Sequence, residues 1–297
     1  VDASWPQRPA DFVWAAMPGI AVDAEDQVYL FTRSTPPVQV YTPSGSYVRG
    51  WGSDFISSAH HIRIDRAGHV WVADIGRHVI RKCTPSGEIL LTLGTDGIPG
   101  DDAAHLNKPT DMAIAASGDV FVSDGYGNNR VVHFDRHGRY VKEWGRLGVG
   151  PQEFSIPHAI AIDSTGRLYV ADRNNARVQV YDQEGTLLDS WRDLIIPWGL
   201  WVTAEDDIWV CGCSPMPWLD DPAYPGGTLS CPPKDQILMR FDSSGRARQL
   251  VTIPKGVDGA EQPGDLNWVH ALAVDRSGNI YVGDIIGKRA QKFVRRD

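Results

Sequence analysis

The chain has nine histidines in 297 residues, and three of them recur at one place in a repeating pattern. Six segments share a short apolar run followed by a polar turn: GIAVDAED from Gly19, HIRIDRAG from His61, DMAIAASG from Asp111, AIAIDSTG from Ala159, GLWVTAED from Gly199 and ALAVDRSG from Ala271. The residues just before these runs are Pro18, His60, Thr110, His158, Trp198 and His270. Histidine therefore fills one equivalent slot in repeats two, four and six. Neutral imidazole is the commonest side-chain ligand for zinc, and three such ligands with an open fourth position suit a catalytic ion. Zinc is the expected cofactor, although the same donors also accept copper, iron or nickel. His61, next along the strand, is expected to face away from His60 and to pack.

A second column carries different chemistry. The residue after the second apolar run of each repeat is Arg33, Ile75, Gly125 with Tyr126, Arg173, Cys213 or Ile285. Arg33 and Arg173 come from opposite repeats, and a guanidinium is a permanent cation that grips a carboxylate through paired hydrogen bonds. This pattern predicts an anionic substrate, either a small molecule or peptide-like. In DGYGNNR the third repeat holds one residue more, and Gly125 and Gly127 are expected to adopt positive φ and turn Tyr126 toward the axis. Beside a cation and a metal, its phenol is expected to have a lowered pKa and to act as a general base. Asp74, Asp124, Asp172 and Asp284 recur too regularly for catalysis and read as braces that accept backbone N–H bonds.

These residues need a scaffold that brings repeats to a common axis. The stretch from Ser155 to Trp191 reads as four short strands separated by glycine turns, and the other repeats restate it. Periods of about 40–50 residues with four strands each mean radial repetition. The expected fold is all-β, a single six-bladed β-propeller over residues 1–297 with repeats starting near 19, 61, 111, 159, 199 and 271. The last repeat has only three strands, so Phe12 to Trp14 is expected to close it as the outer strand. One connection, 212–236, is far longer than its counterparts and reads as a lid over the site, with Cys213–Cys231 or Cys211–Cys231 as a disulfide at its base. Cys83 reads as a small buried hydrophobe. Trp198, Trp218 in the long loop and Trp268 join Arg33 and Arg173 as substrate-contact candidates.

Composition narrows the partners. A net charge of −8 opposes nucleic-acid binding, which needs a basic surface. No apolar run is long enough to span a bilayer, so the reading expects neither nucleic acid nor membrane as partner, and a monomer.

IDRAGHVWVADIGRHVIRK, NKPTDMAIAASGDVFVSDGYGNNRVVHF, FSIPHAIAI and LYVADRNNARVQVY resemble the NHL-repeat lyase domain of the peptide-amidating enzymes, peptidyl-α-hydroxyglycine α-amidating lyase, from about residue 19 to the end. The resemblance implies zinc on His60, His158 and His270, with Tyr126, Arg33 and Arg173 serving the substrate. Two departures stand out. Ala271 replaces the aspartate that helps to hold a structural calcium in that family, so a calcium site would be incomplete. Gly127 and Tyr169 replace two family cysteines, so that disulfide is absent. With the tryptophans and the long loop, these changes point to a substrate other than a peptide.

Together the residues and the resemblance indicate a metal-dependent lyase that cleaves the C–N bond of an N-acyl α-hydroxyglycine-like carbinolamide, giving an amide and glyoxylate or a related carbonyl. The alternatives are a hydrolase of a lactone, ester or amide on the same three histidines, and a non-catalytic NHL interaction module.

Overall fold

Runs such as VYLF (Val28–Phe31) and VWVAD (Val70–Asp74) are buried along their whole length, which is what a strand covered on both faces requires. Hairpin chemistry separates them. At the first turn of repeat two, Asp65 Oδ1 accepts the N–H groups of Ala67 and His69, each at 2.9 Å, and Gly68 takes φ +81°, a conformation that glycine adopts without penalty.

The computed structural model describes residues 1–192, 195–213 and 235–296. Five antiparallel sheets of four strands and one of three form the six blades of a β-propeller. In chain order the innermost strands are Gly19–Val22, Ala59–Ile64, Asp111–Ile114, Pro157–Ile162, Ile196–Val202 and Val269–Val274. Each successive strand of a blade lies farther from the axis. The core lies between blades: Trp71 and Ile80 of blade two meet Met112 and Val122 of blade three, and Tyr169 of blade four meets Leu200 and Phe241 of blade five. Among the described residues no helix is long and apolar enough to cross a membrane.

The ring closes differently from the expectation. The sixth sheet has three described strands, and Phe12 to Trp14 is not its fourth. Phe12 stacks edge-on to Tyr47 at 5.1 Å and Trp14 Nε1 donates to Gln39 Oε1 at 3.0 Å, both in blade one. The seam is instead crossed farther toward the terminus. The Asp2 N–H donates to Lys292 O at 2.9 Å, and the buried Trp5 ring lies between Tyr41 of blade one and Tyr281 of blade six. Aromatic packing across the seam thus replaces the expected strand pairing.

The two functional columns share one end of the propeller. The N–H of Arg33 donates to Ala16 O, that of Ile75 to Ser58 O, that of Arg173 to Ile156 O and that of Ile285 to Trp268 O, each at 2.9–3.1 Å. Each acceptor is two residues before a slot residue. Residues between Cys213 and Asp235, including Trp218 and Cys231, lie outside the described residues, and with them the expected lid and its disulfide. Cys83 and Cys211 are free thiols whose burial pushes both up to about 12.

Candidate metal centre and substrate site

The inner strands are irregular at the slot. In blade four Pro157 pairs with Asp172 and Ala159 with Ala171, which leaves His158 as an extra residue. The same slip isolates Trp198 between Pro197 and Gly199 and His270 between Val269 and Ala271. A β-bulge of this kind re-aims its side chain, here toward the axis. In blade two Ala59 pairs with Asp74 and Ile62 with Val72, so His60 and His61 together oppose Ala73. His61 therefore does not alternate away from His60. It is buried, with its Nδ1 3.0 Å from His60 Nδ1.

The rings of His60, His158 and His270 form a nearly equilateral triangle, with centroids 4.8, 4.8 and 4.7 Å apart. Each is anchored to the slot of the next blade. His60 Nδ1 donates to Thr110 O at 2.6 Å, His158 Nδ1 to Trp198 O at 2.5 Å and His270 Nδ1 to Pro18 O at 2.7 Å. A carbonyl can only accept, so each Nδ1 carries a proton and each neutral ring keeps its Nε2 lone pair. Burial, the largest influence, holds His60 and His158 well below the usual histidine range; His270 and the other imidazoles nearby add to it. Burial also lowers His270 to about 3, against the pull of its bond to Pro18.

Tyr126 caps this triangle, its hydroxyl 3.1 Å from His60 Nε2 and 2.9 Å from His158 Nε2. Its position does not depend on positive φ at Gly125 or Gly127, neither of which adopts it. The glycines are needed for room: a Cβ on Gly125 would strike Pro157 O, and one on Gly127 would strike Asn107. The expected fall in the Tyr126 pKa is also reversed in the protein alone. Burial raises it and outweighs the opposing guanidiniums of Arg173 and Arg33.

Arg33 is exposed and donates from Nε to Ala59 O at 3.2 Å, while Arg173 is half-buried. Neither has a carboxylate partner among the described residues. Asp172 instead receives Arg177 Nε at 2.6 Å and the Ser155 N–H at 2.7 Å. Asp74 likewise accepts the N–H groups of Ser57 and Ser58, and Asp284 those of Asn267 and Trp268. Trp198 and Trp268 stack on each other at 5.0 Å, on the blade-five and blade-six side.

Ligand atoms of His60, His61 and His270 also lie within 4.8 Å of one another, a different trio from the symmetric triangle. The triangle is the better candidate set. His61 meets His60 at Nδ1, the nitrogen beside the backbone, whereas the Tyr126 hydroxyl marks the Nε2 side on which the triangle opens.

Two polar residues on the axis escaped the sequence reading. Arg63 and Asp111 form a buried bidentate ion pair, with Arg63 Nε 3.0 Å from Asp111 Oδ1 and Arg63 Nη2 against Asp111 Oδ2. Burial pushes the Asp111 carboxyl upward, and Arg63 is the first influence to oppose it. A signal was present: Arg63 aligns with Ala21, Ala113, Ala161, Trp201 and Ala273, and Asp111 with Gly19, His61, Ala159, Gly199 and Ala271. Each is the one formally charged residue in its column, the others being mostly Gly or Ala. Beyond this pair lies a cavity of about 590 Å³ lined by Arg63, Met112, Ile160 and Trp201, among others, but by none of the site histidines.

Comparison with known proteins agrees with this architecture. A family model described as NHL repeat matches residues 106–134 and 154–181. The human protein named NHL repeat-containing protein 3 is 28% identical across 99% of this chain and 83% of its own length. A probable peptidyl-alpha-hydroxyglycine alpha-amidating lyase of Caenorhabditis elegans is 35% identical over 165 residues, 53% of this chain and 45% of that protein. Among solved structures, a streptogramin B lyase superposes with TM-score 0.60 at 13% identity, over 96% of this chain and 84% of that one, a likeness of fold. The chain is an NHL-repeat six-bladed β-propeller that resembles the peptidyl-α-hydroxyglycine α-amidating lyases over about half its length.

Proposed function

We propose that the protein is a metal-dependent lyase acting on an N-acyl α-hydroxyglycine or a closely related carboxylated carbinolamide. The observation that carries the reading is the triangle of neutral imidazoles, each with its Nδ1 proton committed to a backbone carbonyl. This leaves three Nε2 lone pairs and one phenol hydrogen within reach of two of them, a surplus of acceptors that fits a borderline divalent cation. His60, His158 and His270 would hold that ion. When bound, it would supply positive charge that polarises a substrate oxygen and favours ionisation of a neighbouring hydroxyl.

The chain's own groups account for the rest. Arg33 and Arg173 face the site without carboxylate partners among the described residues and would hold the substrate carboxylate. Tyr126, within hydrogen-bond reach of two imidazoles, would take the proton from the carbinol hydroxyl. As that proton leaves, the carbon–oxygen double bond forms, the C–N bond breaks and the amide nitrogen gains a proton. No water is consumed. Burial raises the Tyr126 pKa in the protein alone, so the nearby positive charge must offset that penalty before the phenol can act as a base. Trp198 and Trp268 would contact the acyl part.

The test is turnover of an N-acyl-α-hydroxyglycine in ¹⁸O-water, with the aldehyde trapped by rapid reduction before it exchanges. A lyase releases a carbonyl product whose oxygen comes from the substrate. Label incorporated at the turnover rate, or ester and lactone cleavage without carbinolamide turnover, would replace the lyase reading with a hydrolase.

A further inference from the structure

Arg63 is three residues beyond His60 on the same inner strand. Besides Asp111 of blade three, its guanidinium reaches Leu200 O of blade five at 2.9 Å and Ile160 O of blade four at 3.2 Å. Asp111 also accepts the N–H groups of Met112 at 2.8 Å and Ile160 at 3.1 Å. Two charged residues thus tie together four inner strands just beneath the histidine triangle.

These four strands carry a particular subset of the slot ring. Blade two holds His60 and blade three its anchor, Thr110. Blade four holds His158 and blade five its anchor, Trp198. Asp111 directly follows Thr110, while Ile160 and Leu200 are each two residues beyond their slots. His270 and its anchor Pro18 belong to blades six and one, to which the pair makes no hydrogen bond among the described residues. The Tyr126 hydroxyl bridges the same two histidines whose strands are tied.

We infer that Arg63 and Asp111 are positioning residues, a clamp that sets the separation and tautomer of His60 and His158 and leaves His270 to be held independently. The inference rests on the metal reading for its consequence but on the strand ties alone for its structure. A buried, fully hydrogen-bonded ion pair is geometrically demanding, so it favours one spacing of the strands it joins. Outer partners that orient a metal's ligands typically change affinity by about 10–100-fold when removed.

Two readouts test it on the full chain, in the wild type, in Arg63→Met and in Arg63→Met/Asp111→Asn, the last avoiding an unpaired buried charge. In metal-free protein, hydrogen exchange of the imidazole Nδ1–H protons is followed by NMR. The His60 and His158 protons are expected to exchange at least about tenfold faster in the double variant, with His270 unchanged. In parallel, zinc affinity is titrated and is expected to fall by about 10–100-fold. Unchanged exchange at His60 and His158, or equal acceleration at all three histidines, would overturn the clamp. A wild type that binds no zinc would overturn the metal reading, while the exchange data would still decide the clamp.

Discussion

At the level of His60, His158 and His270, the propeller axis carries three ring Nε2 atoms, two of which share a single phenol hydrogen. Just beneath, Asp111 of blade three receives two guanidinium donors and two backbone N–H groups, and Arg63, three residues beyond His60, spends its other bonds on two carbonyls. Both layers are buried and polar, yet only the second balances donors against acceptors. Buried polar groups are normally satisfied, because leaving one unpaired costs about 1–3 kcal/mol. The surplus of acceptors in the upper layer is what the proposed metal would satisfy, while the balanced layer beneath it needs no ligand to satisfy its polar groups.

The difference between the two layers is sharpest at Tyr126. Tyr126→Phe removes the hydrogen shared by the upper layer and leaves the lower one untouched. Steady-state kinetics on a carbinolamide should show kcat lower by roughly 10²–10⁴ if the phenol moves the proton. Unchanged kcat would assign the proton transfer to another group.

His158→Ala should cost more than about a hundredfold in zinc affinity, beyond what loss of an outer partner does, as measured by competitive chelation. Full retention of metal would remove His158 from the ligand set and point to His60, His61 and His270 instead.

A smaller effect is expected at the rim. Arg33→Ala should raise KM by about tenfold for a carboxylated carbinolamide, as befits one charge-assisted hydrogen bond at an exposed position, with little change for the methyl ester. Equal losses on both substrates would mean that Arg33 is not the carboxylate's partner.

The last test is thermodynamic and needs no substrate. Folded His60, His61, His158 and His270 stay neutral at pH values where unfolded histidine, with a pKa of about 6.5, takes up protons. The unfolded state then binds more protons, so the stability of the metal-free protein should fall as pH drops below about 6.5, continuing toward about 3, where His270 titrates. Urea midpoints at pH 7.5 and 5 measure this, and a His158→Gln/His270→Gln variant should show a shallower decline. A midpoint independent of pH in the wild type would show that the rings are not held neutral.

Much of this was open to inspection in the chain itself. The recurrence of one apolar run and one turn defines blades, and blades of that size must close around an axis, since each buries its faces only against its neighbours. Equivalent positions in such a ring converge, so the slot holding His60, His158 and His270 and the second column holding Arg33, Tyr126 and Arg173 could be read from alignment alone. What alignment could not supply was anything that depends on strand register or on contacts between blades. The bulge that turns both His60 and His61 inward is a one-residue slip, invisible to a two-residue period. The Nδ1 anchors join residues 40–252 positions apart, and Arg63 reaches a carbonyl 137 residues away. Closure by Trp5 and Asp2 rather than by Phe12 to Trp14 was settled by which aromatic rings fit the seam. The sign of the Tyr126 shift was settled by burial, which only the assembled ring of blades creates. Periodicity in the sequence determined which side chains face the axis, and tertiary packing decided how they are protonated, anchored and balanced, because desolvation and hydrogen bonding arise only once the blades have closed.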